Sequence, residues 1–211
     1  MKNKIEVPKI HLDLLNDEPV NAFESREEIQ DRLIENITIE NNEAQKISLD
    51  RVIVRNATIK ESALEQIECS DVIFERCDFS NVNFSGSYFQ RTEFRNCKLI
   101  GTDFADSRIQ NTRFLDCLGD YTNFRFSKFK QVSFEDCSLI SSDYYAAAFQ
   151  KLYLNRCNID QANLAQVKLN GIDLSDCQFD SLTVNIEDLY GCKIAAHQAA
   201  AFMGLLGLVI D

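Results

Sequence analysis

The sequence predicts an all-β solenoid, a chain wound into a square tube with four short sides to each coil. Three observations predict it: an apolar beat of five residues, the absence of charge from two positions in each five, and cysteines that recur every twenty residues. A helix repeats every 3.6 residues and a strand every 2, so a beat of five belongs to neither alone.

The beat is plainest in Asn158 to Asp180, "NIDQANLAQVKLNGIDLSDCQFD", where Ile159, Leu164, Leu169, Leu174 and Phe179 are five apart. This central column keeps one register from Ile34 to Val184 and collects twelve of the fifteen phenylalanines. Two residues before each central position runs a second column of smaller side chains, among them Val72, Cys77, Val82, Ser87, Thr92 and Cys97. The columns hold 31 and 30 positions, and none of these 61 is charged. At the chain's 26% charge content, chance would place about 16 charges there. Both columns are therefore predicted to be buried. Residues two apart point to one side of an extended segment, the residue between them points out, and the remaining two turn the corner. A chain that repeats this must coil.

Cys77, Cys97, Cys117, Cys137, Cys157 and Cys177 set the number of sides. Four five-residue sides stack all six in one ladder at about 4.8 Å, the spacing of paired strands, whereas three would scatter them. Metal binding would need convergent ligands, but His11 and His197 are the only histidines and no C-x-x-C occurs. Disulfides between rungs are possible by distance but are not expected in a reducing compartment. The expected role of these thiols is that of small apolar fillers that let coils approach closely.

Residues 1–28 lie outside the beat, hold both prolines and are expected to cap the first coil, because a solenoid exposes an apolar cross-section at each end. Residues 29–186 form the β-helix of about eight coils, and 187–211 form a C-terminal cap and dimer interface. Asn185 is placed to cap a short turn through Glu187 and Asp188. A helix from about Ala195 to Leu206, closed by Gly207, precedes a strand-like "LVI". Phe202, Met203, Leu205, Leu206, Leu208, Val209 and Ile210 offer more apolar surface than one cap needs, which predicts a homodimer through the tail. Gly119, with Leu118 beside it, interrupts the central column and suggests a local bulge.

The repeat itself is that of a known family. "CDF" at Cys77 to Phe79, "TDF" at Thr102 to Phe104, "TNF" at Thr122 to Phe124 and "ANL" at Ala162 to Leu164 resemble the motif of pentapeptide repeat proteins, over roughly residues 30 to 190. The resemblance implies a right-handed quadrilateral β-helix, in agreement with the four sides. More narrowly, three segments resemble the Qnr-type quinolone resistance proteins of Gram-positive bacteria: Cys77 to Ser107, "CLGDYTNFRFSKF" from Cys117, and the tail "LYGCKIAAHQAAAFMGLLGLVI" from Leu189. That resemblance implies a dimer that binds DNA gyrase or topoisomerase IV, presents a rod shaped and charged like a DNA segment, and protects the enzyme from quinolones. Gram-negative relatives carry loops between coils, for which this register leaves no room.

Net charge is -11, which argues against direct nucleic-acid binding, since phosphates must be met by cations, and permits a partner with a basic groove. Sorted by side, the charge is two-faced. The side centred on Phe89, Ile109, Phe129, Phe149 and Leu169 displays Arg91, Arg108, Lys128, Lys130, Lys151 and Lys168. The other three carry Glu75 and Glu93 and the candidate partner-binding acids Asp78, Asp103, Asp106, Asp116, Asp120, Glu135, Asp136, Asp143, Asp160, Asp173, Asp176 and Asp180, against six bases. The acidic sides are expected to dock the partner while the basic side faces away. A different reading, a scaffold for an unrelated basic partner, shares the same surface. No Gly-rich phosphate loop, Ser/His/Asp set or metal-ligand spacing occurs, so the chain is not expected to be an enzyme or to hold a cofactor. The N-terminus lacks a signal-peptide core, and the longest apolar run, Ala199 to Ile210, is too short to cross a bilayer. A cytoplasmic location without a membrane span is expected.

Overall fold

A computed structural model describes residues 5–17 and 19–206; the side chain of Leu206 and residues 207–211 lie outside it, and with them the predicted contacts of Leu206, Leu208, Val209 and Ile210. The chain winds as a right-handed quadrilateral β-helix. Its strands are β1 (Glu28–Glu35), β2 (Thr38–Glu40), β3 (Glu43–Gln45), β4 (Ser48–Arg55), β5 (Thr58–Lys60), β6 (Ala63–Glu65), β7 (Glu68–Glu75), β8 (Tyr88–Arg95), β9 (Arg108–Leu115), β10 (Lys128–Glu135) and β11 (Ala148–Asn155).

Every pair of these strands is parallel with an offset of twenty residues, as four five-residue sides require. One sheet stacks β1-β4-β7-β8-β9-β10-β11, and each of its strands covers two sides of the tube. The first side is centred on Phe89 and its counterparts, the second on Phe94. The third and fourth sides begin as the pairs β2-β5 and β3-β6 and continue as single bridges as far as Asn158↔Gln178 and Asn163↔Thr183.

Both predicted columns line the interior. Only Phe149 and Phe179 in the central column, and Ile37, Asn42 and Leu182 in the second, are even partly exposed. The phenylalanines stack on their counterparts one coil away. Phe74, Phe94, Phe114 and Phe134 form one pile, with centroids 4.9, 4.8 and 4.4 Å apart. Phe84, Phe104, Phe124 and Tyr144 form another on the opposite side, and the two piles meet edge to face, as ring quadrupoles favour.

The second column does more than fill space. The hydroxyl of Ser107 accepts the Ser87 N–H at 3.1 Å and donates to the Phe84 carbonyl at 3.2 Å; Ser127 does the same one coil on. Cys77, Cys97, Cys117, Cys137 and Cys157 occupy equivalent slots, each Sγ 3.4 Å from a carbonyl of the preceding coil. All eight cysteines are free thiols. Burial pushes the Cys177 thiol up to about 12, so that sulfur packs as a neutral weak donor.

The corner has a geometry the beat does not report. Two residues past each central position, φ lies between 47° and 67° at almost every corner. That left-handed region strains a side chain with a Cβ, and Asn, Asp and Gly tolerate it best. Asn36, Asn41, Asn56, Asn81, Asn96 and Asn111 occupy it accordingly.

Gly119 makes no bulge. Its N–H bonds Ser138 O at 2.7 Å, Leu118 pairs Lys98 and Ser138 in normal register, and a Cβ at 119 would sit 3.0 Å from Leu139 Cδ2. The Leu139 side chain takes the space, so the column loses a side chain and keeps its register.

At the lower end, Val20 and Phe23 are buried, and Asn42 holds Phe23 through its N–H and its carbonyl. Residues 5–10 instead run along the rod's flank. The Lys9 N–H donates to Asp71 at 2.9 Å, the Glu6 N–H reaches Asn111, and Arg113 reaches Ile5 O. At the upper end, Asn185 sits at the N-cap of a 3₁₀ turn (Ile186–Asp188), yet its side chain donates to Asp188 instead of accepting an N–H. The predicted helix is a helical run of mixed pitch, 3₁₀ over Ala196–Ala199, α1 (Ala200–Met203), then 3₁₀ over Gly204–Leu206. Gln198 fastens it. Its Oε1 accepts Ala195 N–H, and its Nε2 donates to Leu174 O at 2.9 Å and Cys177 O at 2.7 Å. Phe202 meets Phe179 edge-on at 5.8 Å. Among the described residues, no helix is long and apolar enough to cross a membrane.

Candidate partner-binding surface

The twelve candidate acids divide by what they already hold. Asp78, Asp103, Asp143 and Asp173 stand just before a central residue, and each accepts the N–H two residues on, at 2.8–3.1 Å. Asn83, Asn123, Asn158 and Asn163 do the same at equivalent positions. These are Asx turns, and the carboxylate there serves the corner first. Asp120 accepts Ile140 N–H and Ser138 Oγ one coil away. Asp160 accepts both Ser181 and Asp180 N–H at 2.9 Å, bonds that hold its carboxyl below the usual range. Glu135 accepts Ser133 Oγ.

The remaining acids are corner residues or near them. Asp116, Asp136 and Asp176 fall on one ladder between the second and third sides, with Arg156 inserted between Asp136 and Asp176. Arg156 grips Asp136 with two bonds, at 2.7 and 2.5 Å, which lower the Asp136 pKa, and its charge also reaches Asp176. The carboxylates of Asp106, Asp116 and Asp180 have no hydrogen-bond or ion-pair partner among the described residues. Of the acids outside this set, Glu75 pairs with Arg55 and Arg76. Glu93 is buried, paired with Arg95 and Arg113.

The basic side is less uniform than its sequence. Asp71, one coil below, takes Arg91 in a fork of two 2.7 Å bonds, and Asp188 takes Lys168 at 2.6 Å. Arg108, Lys128 and Lys130 have no ion-pair partner among the described residues. They line a shallow trough of about 770 Å³ with Tyr88, Gln110 and Gln150. The two-faced charge therefore persists at the middle of the rod and fades toward its ends.

Of the exposed aromatics beside these acids, the sequence marks Phe126 as an outward corner residue of open role, whereas nothing in the beat singles out Tyr121. Tyr121 and Phe126 occupy consecutive corners at φ 61° and 59°. Phe126 meets Tyr145 edge-on, and the Arg125 guanidinium lies over both rings while pairing with Asp143 at 3.0 Å. Of the predicted dimer residues described, Phe202 and Met203 line an apolar groove of about 270 Å³ with Leu189, Cys192, Ile194 and Ala199. Leu205 lies exposed nearby in sequence, as do Tyr190 and Ile194. Among the described residues, no group of acids, cysteines and histidines could hold a metal ion.

Family models decide what this architecture is. The pentapeptide repeat region model matches residues 67–134 and 87–164, and the model for eight copies of the repeat matches 157–183, together more than half of the chain. The chain belongs to the pentapeptide repeat family. Solved pentapeptide repeat structures resemble it at low identity. A trypsin-treated variant of QnrB1, a plasmid-mediated fluoroquinolone resistance protein, is 19% identical, with 93% of this chain and 98% of that chain covered and a TM-score of 0.43. HetL, involved in heterocyst differentiation regulation in the cyanobacterium Nostoc sp. strain PCC 7120, is 16% identical over 81% and 84%, with a TM-score of 0.35. Similarity at this level bears on neither partner nor mechanism. No curated protein matches the chain in sequence.

Proposed function

We propose that this pentapeptide repeat protein is a non-catalytic rod that engages a type II topoisomerase, DNA gyrase or topoisomerase IV, and protects it from quinolones. The observation that carries the reading is the charged perimeter: three acidic sides on a rigid tube, with Asp106, Asp116 and Asp180 free to meet cations and Arg108, Lys128 and Lys130 held on the first side. An enzyme that grips duplex DNA offers a basic groove of matching width and sign. Complementary fields would speed encounter and orient the rod, and added salt would weaken the complex. Duplex DNA carries one charge per about 1.7 Å, far denser than these acids, so the likeness is in shape and sign. The residue-level resemblance to Qnr-type proteins supports the choice of enzyme.

A second copy is proposed to seat on the apolar groove at Phe202 and Met203, doubling the rod through its tail. Met203→Glu is expected to give monomers in sedimentation velocity.

The test is a supercoiling assay in which the protein is titrated against gyrase with and without a fluoroquinolone. Protection at intermediate concentrations supports the reading, and its absence with both enzymes removes it. Asp116→Lys with Asp176→Lys, which breaks no paired carboxylate, is expected to weaken binding at least tenfold. Reversing Asp136 as well would also break its link to Arg156 and blur the result.

A further inference from the structure

Most corners of this rod carry Asn, Asp, Gly or a long polar side chain that reaches solvent, and two corners of one coil carry aromatic rings instead. Tyr121 and Phe126 are the only aromatic residues at positive φ among the described residues. A bulky side chain in that region is an outlier that persists where the surroundings or function require it. Burial does not supply the reason here: Tyr121 is 65% exposed and Phe126 47%. The chain thus accepts backbone strain and exposed apolar surface at the same two positions.

These corners bound the fourth side, and their neighbours continue the patch. Leu118, 47% exposed, precedes Tyr121, and exposed Ile100 lies one rung away on the same third side. Beside Phe126, the Tyr145 ring is fixed edge-on at 5.7 Å, and Arg125 is held over Tyr145 at 4.7 Å by its pairing with Asp143. Tyr, Phe and Arg, fixed in place before binding, are the composition of a protein interface core. Asp103 and Asp106 sit one rung from Asn123 and Phe126, with Asp120 and Asp160 beyond the Tyr121 corner. Acids thus border the aromatics on the third and fourth sides, while Arg108 and Lys128 begin the basic first side beyond the Phe126 corner; the acids repel a nucleic-acid backbone and match an apolar pocket rimmed on that flank by Lys and Arg.

We infer that Tyr121 and Phe126 anchor the rod to its basic protein partner, their rings entering apolar pockets while the surrounding carboxylates meet the cations of the rim. The partner named in the test rests on the proposed function.

The experiment replaces both anchors with the rod's own commonest corner residue. Full-length Tyr121→Asn/Phe126→Asn is compared with wild type for thermal midpoint and for equilibrium binding to gyrase holoenzyme and to topoisomerase IV. Gln131→Asn, a corner on the basic flank, serves as control. The expected result is a thermal midpoint equal to or above wild type, a loss of affinity of about 30-fold or more, as removal of interface anchors gives, and control binding within twofold. Binding of the double variant within threefold of wild type overturns the inference, as does a lowered midpoint, which would assign the rings to packing. If wild type binds and Asp116→Lys/Asp176→Lys weakens it while the double variant does not, the anchors alone are wrong. If wild type binds neither enzyme, the proposed function and the anchors fall together.

Discussion

Gln198→Ala should loosen the upper end of the solenoid by an amount the structure sets. The side chain is buried, and its three hydrogen bonds all end on backbone groups: Ala195 N–H, Leu174 O and Cys177 O. Each such bond contributes about 1 kcal/mol net, and a buried group left unpaired costs about 1–3 kcal/mol. Truncation removes all three bonds, and partial rehydration at the rod's end offsets some of the loss, giving about 3 kcal/mol. For a chain of 211 residues this is about 6–12 °C in Tm if unfolding is cooperative. A solenoid can fray from its end, so hydrogen exchange should accompany thermal circular dichroism, with protection lost first at the amides of Leu169, Leu174 and Cys177. Gln198→Glu sharpens the test. An ionised carboxylate can accept Ala195 N–H but faces two carbonyls with no donor, so its folded-state pKa must rise above the unfolded value near 4.3. Such a variant is most stable below that pH and loses stability as pH rises through it. A cost under about 0.5 kcal/mol for Gln198→Ala, or a pH-independent Gln198→Glu, would refute the reasoning.

Three further outcomes follow from the interior and the flank. Ser107→Ala should lower the unfolding free energy by about 1–2 kcal/mol, read as a lower urea midpoint at constant m-value, since Ser87 N–H and Phe84 O each lose a buried partner. Tyr144→Phe should stabilise by about 1 kcal/mol, because the buried hydroxyl has no hydrogen-bond partner among the described residues and Phe fills the equivalent slot at 84, 104 and 124; a lower midpoint would show that the hydroxyl is satisfied. Burial raises the Asp71 pKa, but the Arg91 fork and the Lys9 N–H more than offset it, leaving the carboxyl below its usual value. Its contribution is therefore present at neutral pH and lost as pH falls through the folded pKa. Asp71→Asn should flatten that part of the acid limb and make residues 5–10 more susceptible to proteolysis at pH 7; unchanged cleavage would mean that the flank segment is held by other contacts.

Much of the fold was legible because burial at two positions in five leaves a record: any charge there would be expelled. The fivefold beat and the twenty-residue cysteine spacing reached the same four-sided tube from independent residues. The corner was not legible by that route. Its preference for Asn, Asp and Gly is diluted by Lys46, Arg51, Glu61 and Arg76, which reach solvent and tolerate the strain. The Asx turns were visible as Asp or Asn before the central residue, yet counting Asp as charge and passing over Asn hid the role the two share. Glu93 points outward by alternation and is nonetheless buried, on the flank where Arg113 meets Ile5. No local pattern reports a contact about a hundred residues away in the chain.

The shared role of Asp and Asn has a consequence for the surface. At the positions of Asp78, Asp103, Asp143 and Asp173 the turn requires only an acceptor, which Asn supplies at 83, 123, 158 and 163. The turn therefore sets the oxygen, and among the described residues the charge itself is used within the rod only at Asp143, which pairs with Arg125, and more loosely at Asp78, which pairs with Lys98. Exchanging these four aspartates for asparagine would remove four negative charges while keeping the acceptor geometry. If the acidic sides bind through a summed field, this less acidic rod should fold with a similar Tm but associate more slowly, with a shallower dependence on salt and little change in dissociation rate. A change confined to the dissociation rate would instead mark individual carboxylates as paired contacts, and equal kinetics would leave the field without a part in recognition.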